Sequence, residues 1–222
     1  MSLTKFIILV ILLIGLTATQ ELPQARVQRR GPKANRGIEI GGFYGYQFGG
    51  SFTVYEGNAN IIDTRNWEIL VAFPIPVHRG SQLELSYTRQ ETKLELSRYP
   101  SGLKETLTDL TVEYYQLGGV NQFVTPGSNL VPYGMFNLGA TRYHPRNSQY
   151  TEDKWMFATS LGGGVKVFVR EKIGLRFQAR LLLPVNWGGA SLWFGSGGPQ
   201  VGVSGGSSVL QGDISGGLFF VL

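Results

Sequence analysis

The chain has 222 residues, no cysteine and a formal net charge of +5, with 31 glycines and 12% aromatic residues. The lack of cysteine excludes disulfides, thiolate metal sites and a lipoprotein anchor. The modest positive charge is concentrated in one short basic run, so it does not by itself require an extended anionic partner.

At the start of the chain, Lys5 precedes the apolar run "FIILVILLIGL" and the small, polar exit "TATQELPQ". A basic start, an apolar core of about ten residues and a small-residue exit make a secretory signal peptide. The core is shorter than the roughly 20 residues a transmembrane helix needs. Residues 1–20 are therefore read as the signal peptide, with cleavage between Ala18 and Glu21. "ARVQRRGPKANRG" comes next, and 21–36 is read as a flexible basic periplasmic tail near lipid headgroups. Export argues against nucleic acid as its partner. Residues 37–222 suit a single domain.

From residue 38 onward the apolar and aromatic residues recur with period two, which predicts strands with two unlike faces. Eight are predicted: 38–54, 65–74, 81–96, 108–124, 131–143, 154–170, 173–185 and 208–222. Long connectors such as "SRYPSGLKETL" and "HPRNSQYTED" alternate with short ones such as "TPGSN" and "EK". Outer-membrane barrels carry this asymmetry, with long extracellular loops and short periplasmic turns. The expected fold is an all-β, eight-stranded, antiparallel transmembrane up-and-down barrel in the bacterial outer membrane.

The stretch "VKVFVREKIGLRFQARLLLP" shows the two faces most clearly. Its odd positions, among them Val165, Val167, Leu175, Phe177 and Leu181, suit lipid. Lys166, Arg176 and Arg180 fall at even positions, and bare charge in hydrocarbon is costly, so they are expected to point inward. Carboxylates on the inferred inward face of other strands would balance them: Glu39, Glu68, Glu84, Glu113 and Asp213. An eight-stranded barrel is narrow enough to be filled by side chains, so these eight residues are expected to form a packed ion-pair network. Glu84 and Glu113 lie on segments whose alternation is irregular. Aromatic residues near the strand ends, including Tyr44, Tyr46, Trp67, Phe73, Tyr114, Tyr115, Tyr133, Tyr143, Trp155, Phe219 and Phe220, are expected to form interfacial girdles.

"GGGVKVFVREKIGLRFQARLLLP" and the last strand "DISGGLFFVL" resemble the closing hairpin and strand of small outer-membrane β-barrel proteins of the OmpA/OmpX-like porin superfamily, notably the Bacteroidota type. That resemblance implies a barrel fold and an outer-membrane location. It leaves function open among structural proteins, adhesins, solute channels and secretion accessory subunits. The superfamily ends in Phe, whereas this chain ends in Leu222 with Phe220 two positions earlier.

No catalytic, metal or cofactor role is read from the residues. General-base chemistry needs partners within hydrogen-bond reach. His78 falls in a short turn. His144 opens a long loop near Ser148 and Asp153 and is read as a rim residue. The carboxylates are dispersed and no histidine pair is present, so no metal site is expected. "GSGG" lacks the lysine and helix of a phosphate loop. The expected function is a structural or interaction barrel in contact with outer-membrane lipid and lipopolysaccharide, and with an envelope protein partner. A narrow porin or small-molecule channel, with Gly162, Gly163 and Gly164 leaving room for a path, is the alternative. An accessory role in a secretion or motility complex is the third reading. Trp187, Trp193 and Phe194, in the longest loop, are read either as a contact surface or as residues dipping to the membrane interface.

Overall fold

The computed structural model describes residues 37–54, 57–76, 78, 80–98, 104–146, 153–185 and 210–222. The expected signal peptide and basic tail lie outside the described residues, as do Trp187, Trp193 and Phe194. Every regular element among the described residues is a β-strand: β1 (Glu39–Phe48), β2 (Ser51–Val54), β3 (Gly57–Ile61), β4 (Thr64–Pro74), β5 (Ser81–Arg98), β6 (Lys104–Gln122), β7 (Leu130–Pro145), β8 (Lys154–Arg170), β9 (Ile173–Val185) and β10 (Gln211–Val221).

Eight of these close into an antiparallel barrel. The order runs β5-β4-β1-β10-β9-β8-β7-β6, and β6 pairs back to β5. First and last strands meet from Glu39↔Val221 to Phe48↔Gly212. Closure gives every spanning strand a neighbour on both sides, which is what a strand needs where no water can satisfy its backbone. The strand ends joined through the short connections after β4, β6 and β8 lie at one end of the barrel, and the strand ends that lead into the longer connections lie at the other. Gly80 (φ +91°) and Gly127 (φ +84°) take the left-handed conformations that two of the short turns require.

The polarity is inside out. In β4, Asn66, Glu68, Leu70 and Ala72 are buried while Trp67, Ile69 and Phe73 are exposed. The bulkiest fully buried side chains are Arg176 and Arg180, and the exterior carries Leu85, Leu117, Phe136, Leu161 and Phe177. Such a surface suits hydrocarbon rather than water.

Two departures from the sequence expectation matter. The strand expected over 38–54 breaks after Phe48, where Gly49 N–H donates to Asp63 Oδ1 at 2.7 Å. The connector read as loop contains β3, which pairs with β2 and then joins β5 from Gly57↔Arg98 to Ile61↔Leu94. In addition, β5 and β6 are 18 and 19 residues long. A spanning strand needs only about 9–11. Their outer halves therefore stand beyond the membrane as a sheet, with the β2–β3 hairpin attached.

Candidate functional site

Two charged constellations stand out, one inside the barrel and one on its outer wall. The interior one is built by strand alternation. Near the short-turn end, Lys166 Nζ lies 2.6 Å from Glu39 Oε2 and donates to Gln82 Oε1 at 2.9 Å. Gln122 also donates to Gln82 Oε1, at 2.7 Å. One level further in, Arg176 grips Glu84 through two N–H···O bonds of 2.6 and 3.3 Å, and its Nε donates to Tyr133 Oη at 2.7 Å. The same guanidinium stacks 4.6 Å from the Tyr133 ring centroid. Next, Arg180 lies 2.7 Å from Glu68 and 3.0 Å from Asp213, and Gln178 donates to Glu68 at 2.7 Å. Asn66 donates to Asp213, and Tyr114 to Gln211.

Seven of the eight residues expected in the interior network thus lie together inside, all at or below 2% exposed. Buried charge is tolerated only when paired and hydrogen-bonded, and each of these has such a partner. Buried apolar clusters lie on either side of these ion pairs: Val131, Phe168 and Phe219 near the short turns, and Leu110, Val112, Tyr114, Ala158 and Leu182 toward the long loops. The glycines expected to leave a path do not. Gly163 faces outward, while a Cβ on Gly162 would meet Arg180 Cγ at 2.8 Å and one on Gly164 would meet Tyr133 Oη at 2.6 Å. The inward glycines make room for those two side chains.

Glu113 is the exception and corrects the sequence reading. Its Cα partners are Arg89 and Arg142, and it sits on the outer face. The neighbours that suggested the opposite, Val112 and Tyr114, point inward into the apolar cluster. Tyr133 and Phe219 are likewise interior rather than girdle residues, and Tyr143 packs half-buried against the same cluster as Tyr114. The girdle at the long-loop end is an outward row of Trp67, Tyr87, Tyr115 and Trp155, with successive ring centroids 5.3, 5.0 and 5.6 Å apart.

Glu113 anchors the second constellation. It accepts from Tyr87 at 2.7 Å, Tyr115 at 3.4 Å and Arg142 at 3.2 Å, with Arg89 at 3.8 Å. Asp153 accepts from Arg142 Nε at 2.9 Å and pairs with His144. Glu91 bridges Arg89, at 3.0 Å, and Arg146, whose Nε donates to Thr111 at 2.9 Å. The hydrogen bond with His144 and then that with Arg142 hold the Asp153 carboxyl below its ordinary range. Arg146 and then Arg89 do the same for Glu91. Arg89, Thr111, Glu113, Arg142, His144 and Arg146 line a hollow of about 300 Å³. The sequence reading missed this cluster apart from His144 and Asp153. The signal was a run of charges at outward positions of strands too long for the membrane. Among the described residues, no group of three or more His, Asp or Glu is placed to hold a metal.

Solved structures share this architecture. Neisserial surface protein A, a crystal structure, is 16% identical, with 83% of this chain and 97% of that one covered, and a TM-score of 0.54. The outer membrane protein OprG from Pseudomonas aeruginosa is 13% identical, covers 86% of this chain and 98% of that one, and has a TM-score of 0.55. At such identities the likeness shows the fold, which is that of the small outer-membrane β-barrels. No protein-family model matches the chain, and no curated protein matches its sequence.

Proposed function

We propose that the chain is an integral outer-membrane barrel with a structural or interaction role, its interior sealed and its long loops extracellular. The filled interior carries this reading. Lys166, Arg176 and Arg180, paired with Glu39, Glu68, Glu84 and Asp213, sit where a solute would have to pass, and buried apolar clusters lie on either side of them. Such a body stiffens the wall and leaves recognition to the exterior and the loops. Outer-membrane lipid and lipopolysaccharide are the proposed partners of the outer wall, and an envelope protein the proposed partner of the loop end. The reading assigns the chain no catalysis and no cofactor. Planar-bilayer recording of the reconstituted chain tests it: little or no steady conductance is expected, and large regular open steps would replace it with the porin alternative.

A narrow channel keeps one observation in its favour. Asn66 Oδ1, Gln90 Oε1, Gln116 Nε2, Asn137 Oδ1 and Gln211 Nε2 are buried without a hydrogen-bond partner from the protein. Buried polar groups of this kind are commonly satisfied by water, and a polar path past the arginines would use such groups. An accessory role in a secretion or motility complex is tested separately, by identifying the proteins that co-purify after gentle cross-linking of outer membranes.

A further inference from the structure

We propose that the outward cluster of Arg89, Arg142 and Arg146 is a docking site for a phosphate-bearing lipid headgroup of the leaflet around the long-loop end. This rests on the reading of the chain as an integral membrane barrel with that end outside, and gives its outer wall a specific ligand.

The geometry is that of a held-open anion site. Three guanidiniums, from β5, β7 and the residue just after β7, surround a hollow of about 300 Å³ also lined by Thr111 and Glu113. Glu113, at 6% exposed, is consumed in holding its neighbours: Tyr87, Tyr115 and Arg142 donate to it, and Arg89 lies close by. The arginine side chains themselves remain 31–40% exposed. Arg142 is held by Asp153 and Glu113 through all three of its nitrogens, which leaves Arg89 and Arg146 as the guanidiniums a phosphate would meet first. Arginine's fork suits bidentate capture of phosphate. Glu91, 56% exposed, bridges Arg89 and Arg146. It is the carboxylate that competes for these two arginines and that a phosphate between them displaces.

Position decides between a lipid and a free anion. Directly beside the cluster runs the row Trp67, Tyr87, Tyr115 and Trp155, and Arg142 lies 5.8 Å over the Trp155 ring. Beyond that row come exposed Leu85, Leu117 and Leu138. A molecule carrying both a phosphate and acyl chains meets all three zones at once, whereas inorganic phosphate meets only the first. The site is also one-sided. Among the described residues, the outward positions at the same end of β9, β10 and β1 are Leu181, Leu183, Gly212, Ile214, Tyr44, Tyr46 and Phe48, with no cation.

The full chain folded into phosphatidylcholine vesicles, with and without bisphosphorylated lipid A, tests the proposal. The readout is the temperature at which the folded gel mobility is lost. Lipid A is expected to raise it, and the dephosphorylated glycolipid and inorganic phosphate are not. Arg89→Gln combined with Arg146→Gln should abolish the rise. Glu91→Gln should enlarge it by removing the competing carboxylate, an effect no purely structural role predicts. Arg170→Gln, at the opposite end, should leave it unchanged. No rise in the wild type, or a rise indifferent to the Arg89 and Arg146 substitutions, or a smaller rise in Glu91→Gln, overturns the proposal. An equal rise with inorganic phosphate overturns the lipid as its ligand. A chain that never acquires the folded mobility defeats the membrane-barrel reading instead.

Discussion

Arg176 and Glu84 meet across the barrel through two hydrogen bonds of 2.6 and 3.3 Å, although three strands separate β9 from β5 in the sheet. Neither side chain is more than 1% exposed. A pair of this kind ties opposite walls together, which the backbone ladder alone does not do. Its burial also makes each half a liability without the other.

Removing one partner should therefore cost far more than removing both. Arg176→Met or Glu84→Leu alone is expected to destabilise the barrel by about 3–5 kcal/mol, because an unpaired charge stays buried. The double substitution should recover much of that loss, less the part owed to Tyr133, which also bonds Arg176. Urea unfolding in lipid vesicles, followed by gel mobility, measures the coupling. Additive single effects would show that the pair does not interact.

The interior glycines give a packing test. A Cβ at Gly164 would lie 2.0 Å from the Phe177 carbonyl oxygen, whereas one at Gly134, on the outer face of β7, meets nothing within 4 Å. Gly164→Ala should cost about 1–3 kcal/mol or more, as overpacking does. Gly134→Ala should be close to neutral by the same unfolding measurement. Equal effects would mean that Tyr133 and Arg180 do not fill the space beside Gly162 and Gly164.

The faces of the barrel were legible in the sequence wherever a strand lies wholly within the membrane. Residues 160–166 and 176–180 show it best: small, polar or charged residues at even positions and mostly apolar ones at odd. The reading failed at Glu113 because β6 outruns the bilayer. Past the girdle the exterior is polar, and the interior of this barrel turns apolar at Leu110, Val112 and Tyr114. The rule that assigns charge to the interior therefore reverses within a single strand. Tyr133 and Phe219 were misplaced for a related reason: aromatic rings pack beside and beyond the buried ion pairs as well as the lipid interface. The β2–β3 hairpin was hidden because Ala59 and Ile61, its buried residues, alternate with Asn58 and Asn60, which read as turn formers. Pairing partners such as Arg176–Glu84 depend on strand stagger, which no local pattern encodes.

Side-chain labelling tests the same reversal. Single cysteines at positions 175, 177 and 181 should react with lipid-soluble reagents, and those at 176 and 180 should not. A cysteine at 109, on the same outward face of β6 as Glu113, should be reached by a water-soluble reagent from the long-loop side, while one at 110 should stay protected. Reactivity in the opposite sense at 175–181 would shift the register by one residue and invert every face. Leu181→Arg places charge toward lipid and should lower the stability in the same urea unfolding, by less than the roughly 2–4 kcal/mol a charge costs at the midplane.

The outer cluster should respond to acid in a defined direction. Asp153 is held below its ordinary value of 3.8 by His144 and Arg142, and Glu91 below 4.5 by Arg146 and Arg89. A carboxyl whose folded pKa is depressed binds fewer protons folded than unfolded. Its contribution is complete above the ordinary value and is lost as pH falls through the depressed one. Both groups are exposed, so the contribution is small and weakens with salt. The unfolding temperature of the wild type should thus fall more steeply below those ordinary values than that of a chain carrying Asp153→Asn and Glu91→Gln. The interior carboxylates are common to both chains and cancel in the comparison. Near neutral pH the two curves should run parallel, with the wild type above, and raising the salt concentration should close the gap. Curves that diverge only above pH 6, or that never differ in slope, would remove Asp153 and Glu91 as the groups that hold the arginines in place.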